Sequence, residues 1–142
     1  MKMTLGEVSR KMGGLTSVLS GNKKFPSKLR YAVAYNMEKL QKESGRIENE
    51  RKRLCEQFAE KDEKGNPVMV KSIVNGKESQ EYKLTEENRR LFEKEYNSLL
   101  DSEVDIEIRK VKASVVDECE KSDRYDIPGV RDMTAMIFMI EE

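Results

Sequence analysis

Apolar residues recur at three- and four-residue steps over two long stretches of the N-terminal half of the chain. Leu5, Val8, Met12, Leu15 and Leu19 follow Thr4-Leu5-Gly6-Glu7, a capping box in which the threonine oxygen and the glutamate each satisfy a free amide at a helix start. The spacing predicts an amphipathic helix. Gly13-Gly14 weakens it, because glycine costs about 1 kcal/mol relative to alanine inside a helix. Ser20-Gly21-Asn22 should end it, since glycine and asparagine tolerate the left-handed conformation used at helix C-termini. Pro26 suits the first turn of a second helix, which runs without another proline to about Glu60. There Val33, Met37, Leu40, Ser44, Ile47, Arg51, Leu54 and Phe58 form a heptad-like stripe with polar lapses. A helix of about 35 residues would be about 50 Å long, whereas a globule of this size has a radius of gyration of about 14 to 15 Å. The helix is expected either to bend near Ser44-Gly45 or to project and pack on another chain. Burying a leucine-sized side chain contributes about 1.5 to 3 kcal/mol, so Val33, Met37, Leu40, Ile47, Leu54 and Phe58 are the expected interface of a homo-oligomer.

The pattern changes after Lys64-Gly65-Asn66-Pro67. Val68 to Val74 is short and β-branched, Asn75-Gly76 is the pair that a type I′ turn prefers, and Lys77 to Leu84 returns, which predicts a hairpin. Thr85 opens a helix with Leu91, Phe92, Tyr96, Leu99 and Leu100 on one face. Val104, Ile106 and Ile108 alternate with Asp105, Glu107 and Arg109, the period-two signature of a half-buried strand. A lone hairpin is marginal in water, so this strand is expected to join it in a three-stranded sheet. Asp126-Ile127-Pro128 gives another N-cap, followed by an apolar helix through Val130, Met133, Met136, Ile137 and Ile140. The expected class is α+β: a helical N-terminal half with a long amphipathic helix, then a small antiparallel sheet (hairpin plus one strand) packed with helices.

At 142 residues the chain is one domain's worth, read as a basic helical half over residues 1–61 and an acidic α+β half over residues 62–142. Hydrophobic content of 37% against 38% charged predicts a small core and elongated elements. The net charge is zero, yet residues 1–54 carry 13 Lys/Arg against 5 Asp/Glu and residues 55–142 carry 14 against 22. Such a split attracts anions or acidic surfaces, or pairs the halves of one chain or of neighbouring chains. No run approaches a membrane span and the N-terminus lacks a signal peptide's apolar stretch, so a cytoplasmic protein is expected. Cys55 and Cys119 are far apart and outside any Cys-x-x-Cys spacing, which suits buried, reduced thiols.

Thr4 to Met12, the turn Asp62-Glu63-Lys64-Gly65-Asn66, the run Glu103 to Ile108 and the ending Met136 to Glu142 resemble a family of small proteins from phages and prophages of Gram-positive bacteria. The resemblance runs from end to end. That family has no assigned activity and offers no catalytic residues to carry over. The resemblance implies a phage accessory protein in the host bacterial cytoplasm, acting on host machinery or defence or during virion assembly.

The chain contains no histidine, so it has no histidine base and no imidazole-ligated zinc, and it lacks the G-x-G-x-x-G and G-x-x-x-x-G-K-[ST] nucleotide fingerprints. No catalytic residue, metal ligand or cofactor is assigned. The enzymatic alternative is an Mg²⁺-dependent nuclease built on Glu81-Tyr82-Lys83, with Asp62 as the upstream acid. The cluster Asp117, Glu118, Glu120, Asp123 and Asp126 lacks calcium-loop spacing and reads as a solvated face. The best binding candidate is the turn between the first two helices. There Lys23, Lys24, Lys28 and Arg30 gather at a positive helix end, with Tyr31 and Tyr35 one turn apart as stacking platforms. These residues form an anion, nucleotide or nucleic-acid site, or else the lysines face the acidic half and the rings pack. The leading expectation is a non-catalytic protein that binds a host or phage protein; the alternative is nucleotide or nucleic-acid binding through residues 21–35.

Overall fold

The computed structural model describes residues 1–142. Its elements are β1 (Lys2–Thr4), α1 (Leu5–Ser20), α2 (Ser27–Phe58), β2 (Met69–Val74), β3 (Lys77–Tyr82), α3 (Glu86–Leu100), β4 (Glu103–Asp105), β5 (Val111–Lys112), α4 (Ala113–Lys121), α5 (Val130–Met136), a 3-10 turn (Ile137–Met139) and β6 (Ile140–Glu141). The class is α+β, with small sheets packed against helices. Contacts divide the chain into two compact units, one of residues 1–45 with 103–142 and one of residues 46–102. These boundaries do not follow the division into basic and acidic halves.

In the first unit, the capping box at Thr4 and Glu7 starts α1, and Val8, Leu15 and Val18 face the core. The helix continues unbroken through Gly13-Gly14, and α5 lies against it at Gly14. A Cβ on Gly14 would sit 3.1 Å from that of Ala135, so the glycine permits the close approach. Asn22, at φ 51°, takes the left-handed position after α1, whereas Gly21 stays helical at φ −70°. Pro26 begins α2 by accepting from the amides of Leu29 and Arg30 at 3.0 Å each. Leu29, Ala32, Val33, Met37 and Leu40 of α2 join Ile106, Val111, Val115, Cys119, Met136 and Met139 in the core.

The period-two strand does not join the hairpin. It pairs antiparallel with β1, Lys2 opposite Asp105 and Thr4 opposite Glu103, and the Met1 carbonyl extends the ladder to the Ile106 amide at 2.9 Å. Ile106 is buried as its alternation requires. Only its partner differs, because β1 is too short to show a period of its own. The C-terminal helix is also shorter than expected: it ends at Met136, and Ile140 and Glu141 pair parallel with Val111 and Lys112. Val130 and Ile137 stay exposed, while Met136 and Met139 are fully buried.

α2 continues unbroken through Ser44-Gly45. Of the six stripe residues assigned to an oligomer interface, Val33, Met37, Leu40 and Ile47 are buried and Leu54 and Phe58 half-buried within this one chain. Their burial therefore does not require a second chain.

In the second unit, Asn75 and Gly76 take φ 52° and 76°, the left-handed pair of a type I′ turn, and β2 and β3 pair alone as a hairpin. The turn at residues 62–66 is closed by Asp62, whose Oδ1 accepts from the amides of Lys64 and Asn66 at 2.9 Å each. Thr85 caps α3 through the Asn88 amide. The Asn88 side chain in turn donates to the Phe58 carbonyl at the end of α2, at 3.0 Å. Phe92 and Tyr96 stack 5.7 Å apart, while Leu91 on the same helix is exposed. Buried residues are few here: Ile47, Cys55 and Ala59.

Candidate phosphate-binding site

Folding brings the basic turn against the acidic C-terminal segment. Residues 1–45 carry 9 Lys/Arg against 3 Asp/Glu, and residues 103–142 carry 6 against 11, so the first unit is nearly neutral. Lys23 pairs with Asp132 at 2.7 Å. Lys24 and Asp126 exchange two bonds: the Lys24 amide donates to the Asp126 carboxylate at 2.6 Å, and the Asp126 amide to the Lys24 carbonyl at 2.7 Å. Asp126 thus ties down the turn instead of capping α5. That cap comes from Asp132, which accepts the Gly129 amide at 2.9 Å. Burial disfavours the charge on Asp132, but Lys23 and the Gly129 amide outweigh burial and hold its carboxyl below the usual range.

The six residues proposed for anion binding are divided between two cavities. Lys23, Lys24 and Arg30 line a cavity of about 550 Å³ with Arg124 and Tyr125 over an apolar floor that includes Phe25 and Val33. Lys28 and Tyr31 line a second, of about 470 Å³, together with Arg109, Lys110 and Lys112. Tyr35 lines neither; its ring lies 6.5 Å from that of Tyr31. Its hydroxyl is held protonated above the usual range, first by the hydrogen bond to Glu107 and then by burial. Residues two apart on α2 point about 200° apart around its axis, which is why Lys28 and Arg30 part company.

Buried and charged polar contacts fix the walls of the second cavity. Asn36 is fully buried on the inner face of α2. Its Nδ2 donates to the Arg109 carbonyl at 3.0 Å and its Oδ1 accepts the Arg109 amide at 2.7 Å. With its backbone so held, Arg109 lays its guanidinium 4.9 Å from the centre of the Tyr31 ring, a cation–π contact. Lys110 donates to the Phe138 carbonyl at 2.6 Å. Lys28 and Lys112 make no ion pair; Glu141 stands opposite Lys112 in the β5–β6 register without reaching it. Val111 and Val115 supply a buried apolar floor.

Two helices begin at this cavity, α2 at Ser27 and α4 at Ala113, the latter with no side-chain cap. Helix starts carry unsatisfied amides and a partial positive charge. The site therefore gathers four cationic side chains, amide donors at two helix ends, the Ser27 hydroxyl and an aromatic ring that is 58% exposed, with no carboxylate in the lining. Cationic side chains, free amides and hydroxyls are the groups that proteins use to bind phosphate esters. Sequence reasoning found Lys28 and Tyr31 and missed Arg109, Lys110 and Lys112. The signal available was a local basic run, Arg109-Lys110-Val111-Lys112, inside an otherwise acidic stretch.

Two of the residues of the nuclease alternative, Asp62 and Lys83, have other engagements. Asp62 closes its own turn, as above, and Lys83 pairs with Glu60 at 3.2 Å. Cys55 and Cys119 are buried and unpaired, and burial pushes both thiols up. No helix is long and apolar enough to cross a membrane. No protein-family model, curated protein or solved structure matches this chain.

Proposed function

We propose that this protein is a non-catalytic binding protein for a phosphate-bearing ligand, a nucleotide or nucleic acid, held in the cavity between the start of α2 and residues 109–115. One observation carries the reading: Lys28, Arg109, Lys110 and Lys112 converge on one cavity whose lining contains no carboxylate. Bringing like charges together without a counter-charge is unfavourable in the free protein, and an anionic ligand relieves it. In this reading, which takes up the implied phage accessory role, the ligand is one that such a protein would meet in the host bacterial cytoplasm, a host nucleotide or nucleic acid.

The test is titration with ATP and with a fluorescein-labelled dT12 strand at about 50 mM salt. Lys28→Ala with Lys112→Ala should weaken binding of at least one probe tenfold or more, since each charged hydrogen bond is worth about 1.5 to 3 kcal/mol. The melting temperature should barely change, because exposed charges contribute little to stability. Absence of binding by both probes, or binding indifferent to the double change, refutes the reading.

A second reading, a host or phage protein as partner, is favoured by the groove between α1 and α5. There Val130, 85% exposed, and Ile137 lie beside Arg10, Lys11 and Arg131. An apolar contact there would be insensitive to salt, whereas phosphate contacts release counterions and weaken steeply with it.

A further inference from the structure

Resting on the reading of the second cavity as a phosphate site, we infer that the ligand is a single-stranded nucleic acid that crosses the start of α2 and occupies both basic cavities. The two cavities flank one helix end. Lys28 opens on one and Arg30 on the other, two residues apart in the first turn of the same helix and on opposite sides of it. Both are lined by cations and neither by a carboxylate. In the first cavity Lys23 is neutralised by Asp132, but Arg30 and Arg124 form no ion pair. A mononucleotide in the second cavity would leave these two unanswered; a strand with a phosphate at every residue answers both sets.

The ground between the cavities suits the same ligand. The Leu29 and Arg30 amides are taken by the Pro26 carbonyl, while those of Ser27 and Lys28 precede the first intrahelical bonds and point out of the helix end. They face a backbone passing over it, where the helix dipole is positive. Each cavity also offers a flat ring, Tyr31 with Arg109 laid across it in one and Tyr125 in the other. The apolar floor of Phe25 and Val33 in the first is a place for an unstacked base. Bases of a duplex are stacked inside and cannot use such platforms, whereas those of a single strand can.

The experiment compares fluorescein-labelled dT12, a 12-base-pair duplex and ATP by anisotropy and competition over a range of salt. It uses the full chain, Lys28→Ala/Lys112→Ala and Arg30→Ala/Arg124→Ala. For dT12, both double variants should lose tenfold or more in affinity. Each should lower the slope of log affinity against log salt by about 1.4, from about 0.7 per phosphate contact on a single strand. ATP should weaken only with the Lys28/Lys112 change, and the duplex should bind at least tenfold more weakly than dT12. If Arg30→Ala/Arg124→Ala leaves dT12 affinity and slope unchanged while Lys28→Ala/Lys112→Ala weakens both dT12 and ATP, the spanning strand is refuted and the single phosphate site stands. If the duplex binds as well as dT12, the single-strand assignment is refuted. If Lys28→Ala/Lys112→Ala changes neither dT12 nor ATP, the site itself is refuted. Should Arg30→Ala/Arg124→Ala melt lower than the parent, Arg124→Gln alone must still lower the dT12 slope, by about 0.7, or the inference fails.

Discussion

Asn36 is the buried polar residue of the core, and its carboxamide stands in for a neighbouring strand. It satisfies both backbone groups of Arg109, just before β5 begins. A buried amide or carbonyl left without a partner costs about 1 to 3 kcal/mol. Asn36→Leu, close to isosteric, is therefore expected to destabilise the protein by about 2 to 6 kcal/mol, counting both orphaned groups. It should also loosen Arg109 from Tyr31 and weaken dT12 binding by more than the lost stability alone explains. Urea unfolding and anisotropy on the same preparation check the two effects, and equal stability of Asn36→Leu and the parent would mean that water replaces the amide. Nothing in the sequence marked this residue: on α2 it lies outside the heptad stripe, between Tyr35 and Met37. The capping residues were legible, by contrast. Thr4, Glu7 and Thr85 act on amides within three residues of themselves, so their partners lie within any short reading window.

Among the longer elements, hydrophobic period anticipated α1, α2, the hairpin and α3, and chain topology determined what the strands paired with. The alternation at Val104 to Ile108 correctly placed Ile106 inside and Asp105 outside. Ile106→Asp should accordingly prevent folding, since an unpaired carboxylate in a core costs several kcal/mol against a total stability of about 5 to 15 kcal/mol. Asp105→Ser on the outer face should shift the melting temperature by a few degrees at most. Circular dichroism melts of the two variants test this, and equal melting temperatures would remove β4 from the core. The hairpin was equally legible because Asn75-Gly76 encodes its own turn. Its separation from β4 was not legible, since strand pairing between distant segments depends on which edges the helices bring together. Gly14 belongs to the same class: the sequence shows a helix-weakening residue, and only the approach of Ala135 shows why it is tolerated.

At the scale of the molecule, the opposed charge of the two ends is largely resolved inside one unit. The Lys23–Asp132 pair is its best-defined contact, with Asp132 mostly shielded from solvent. An acid whose folded pKa is depressed stabilises the fold above its unfolded value, near 4, and that stability is lost as pH falls through the folded value. The parent should thus lose stability below about pH 4 more steeply than Asp132→Asn, with the gap at neutral pH about 1 kcal/mol after allowing for the half-open Lys23 side. Asp105 and Glu48, also held below their usual range, titrate in both proteins, so the difference between the two curves is the measurement. Curves that stay parallel from pH 7 to pH 2 would mean that the pair contributes nothing.

The sequence by itself determined the class, the capping box at Thr4, the helix start at Thr85, the type I′ hairpin and the inward position of Ile106. Each rests on residues a few positions apart, where turn chemistry and periodicity act without help from the rest of the chain. Only the tertiary structure decided that Val33, Met37, Leu40 and Ile47 of the α2 stripe are buried within their own chain, that β4 pairs with β1, and that Lys23 and Lys24 are tied to Asp132 and Asp126. It also divided the predicted basic cluster between two cavities and completed one of them with Arg109, Lys110 and Lys112. These partners lie far apart in the chain, Lys23 and Asp132 by 109 residues and Lys24 and Asp126 by 102. Spacing in sequence carries no information about such contacts, because packing of the whole core, rather than any local preference, brings those segments together.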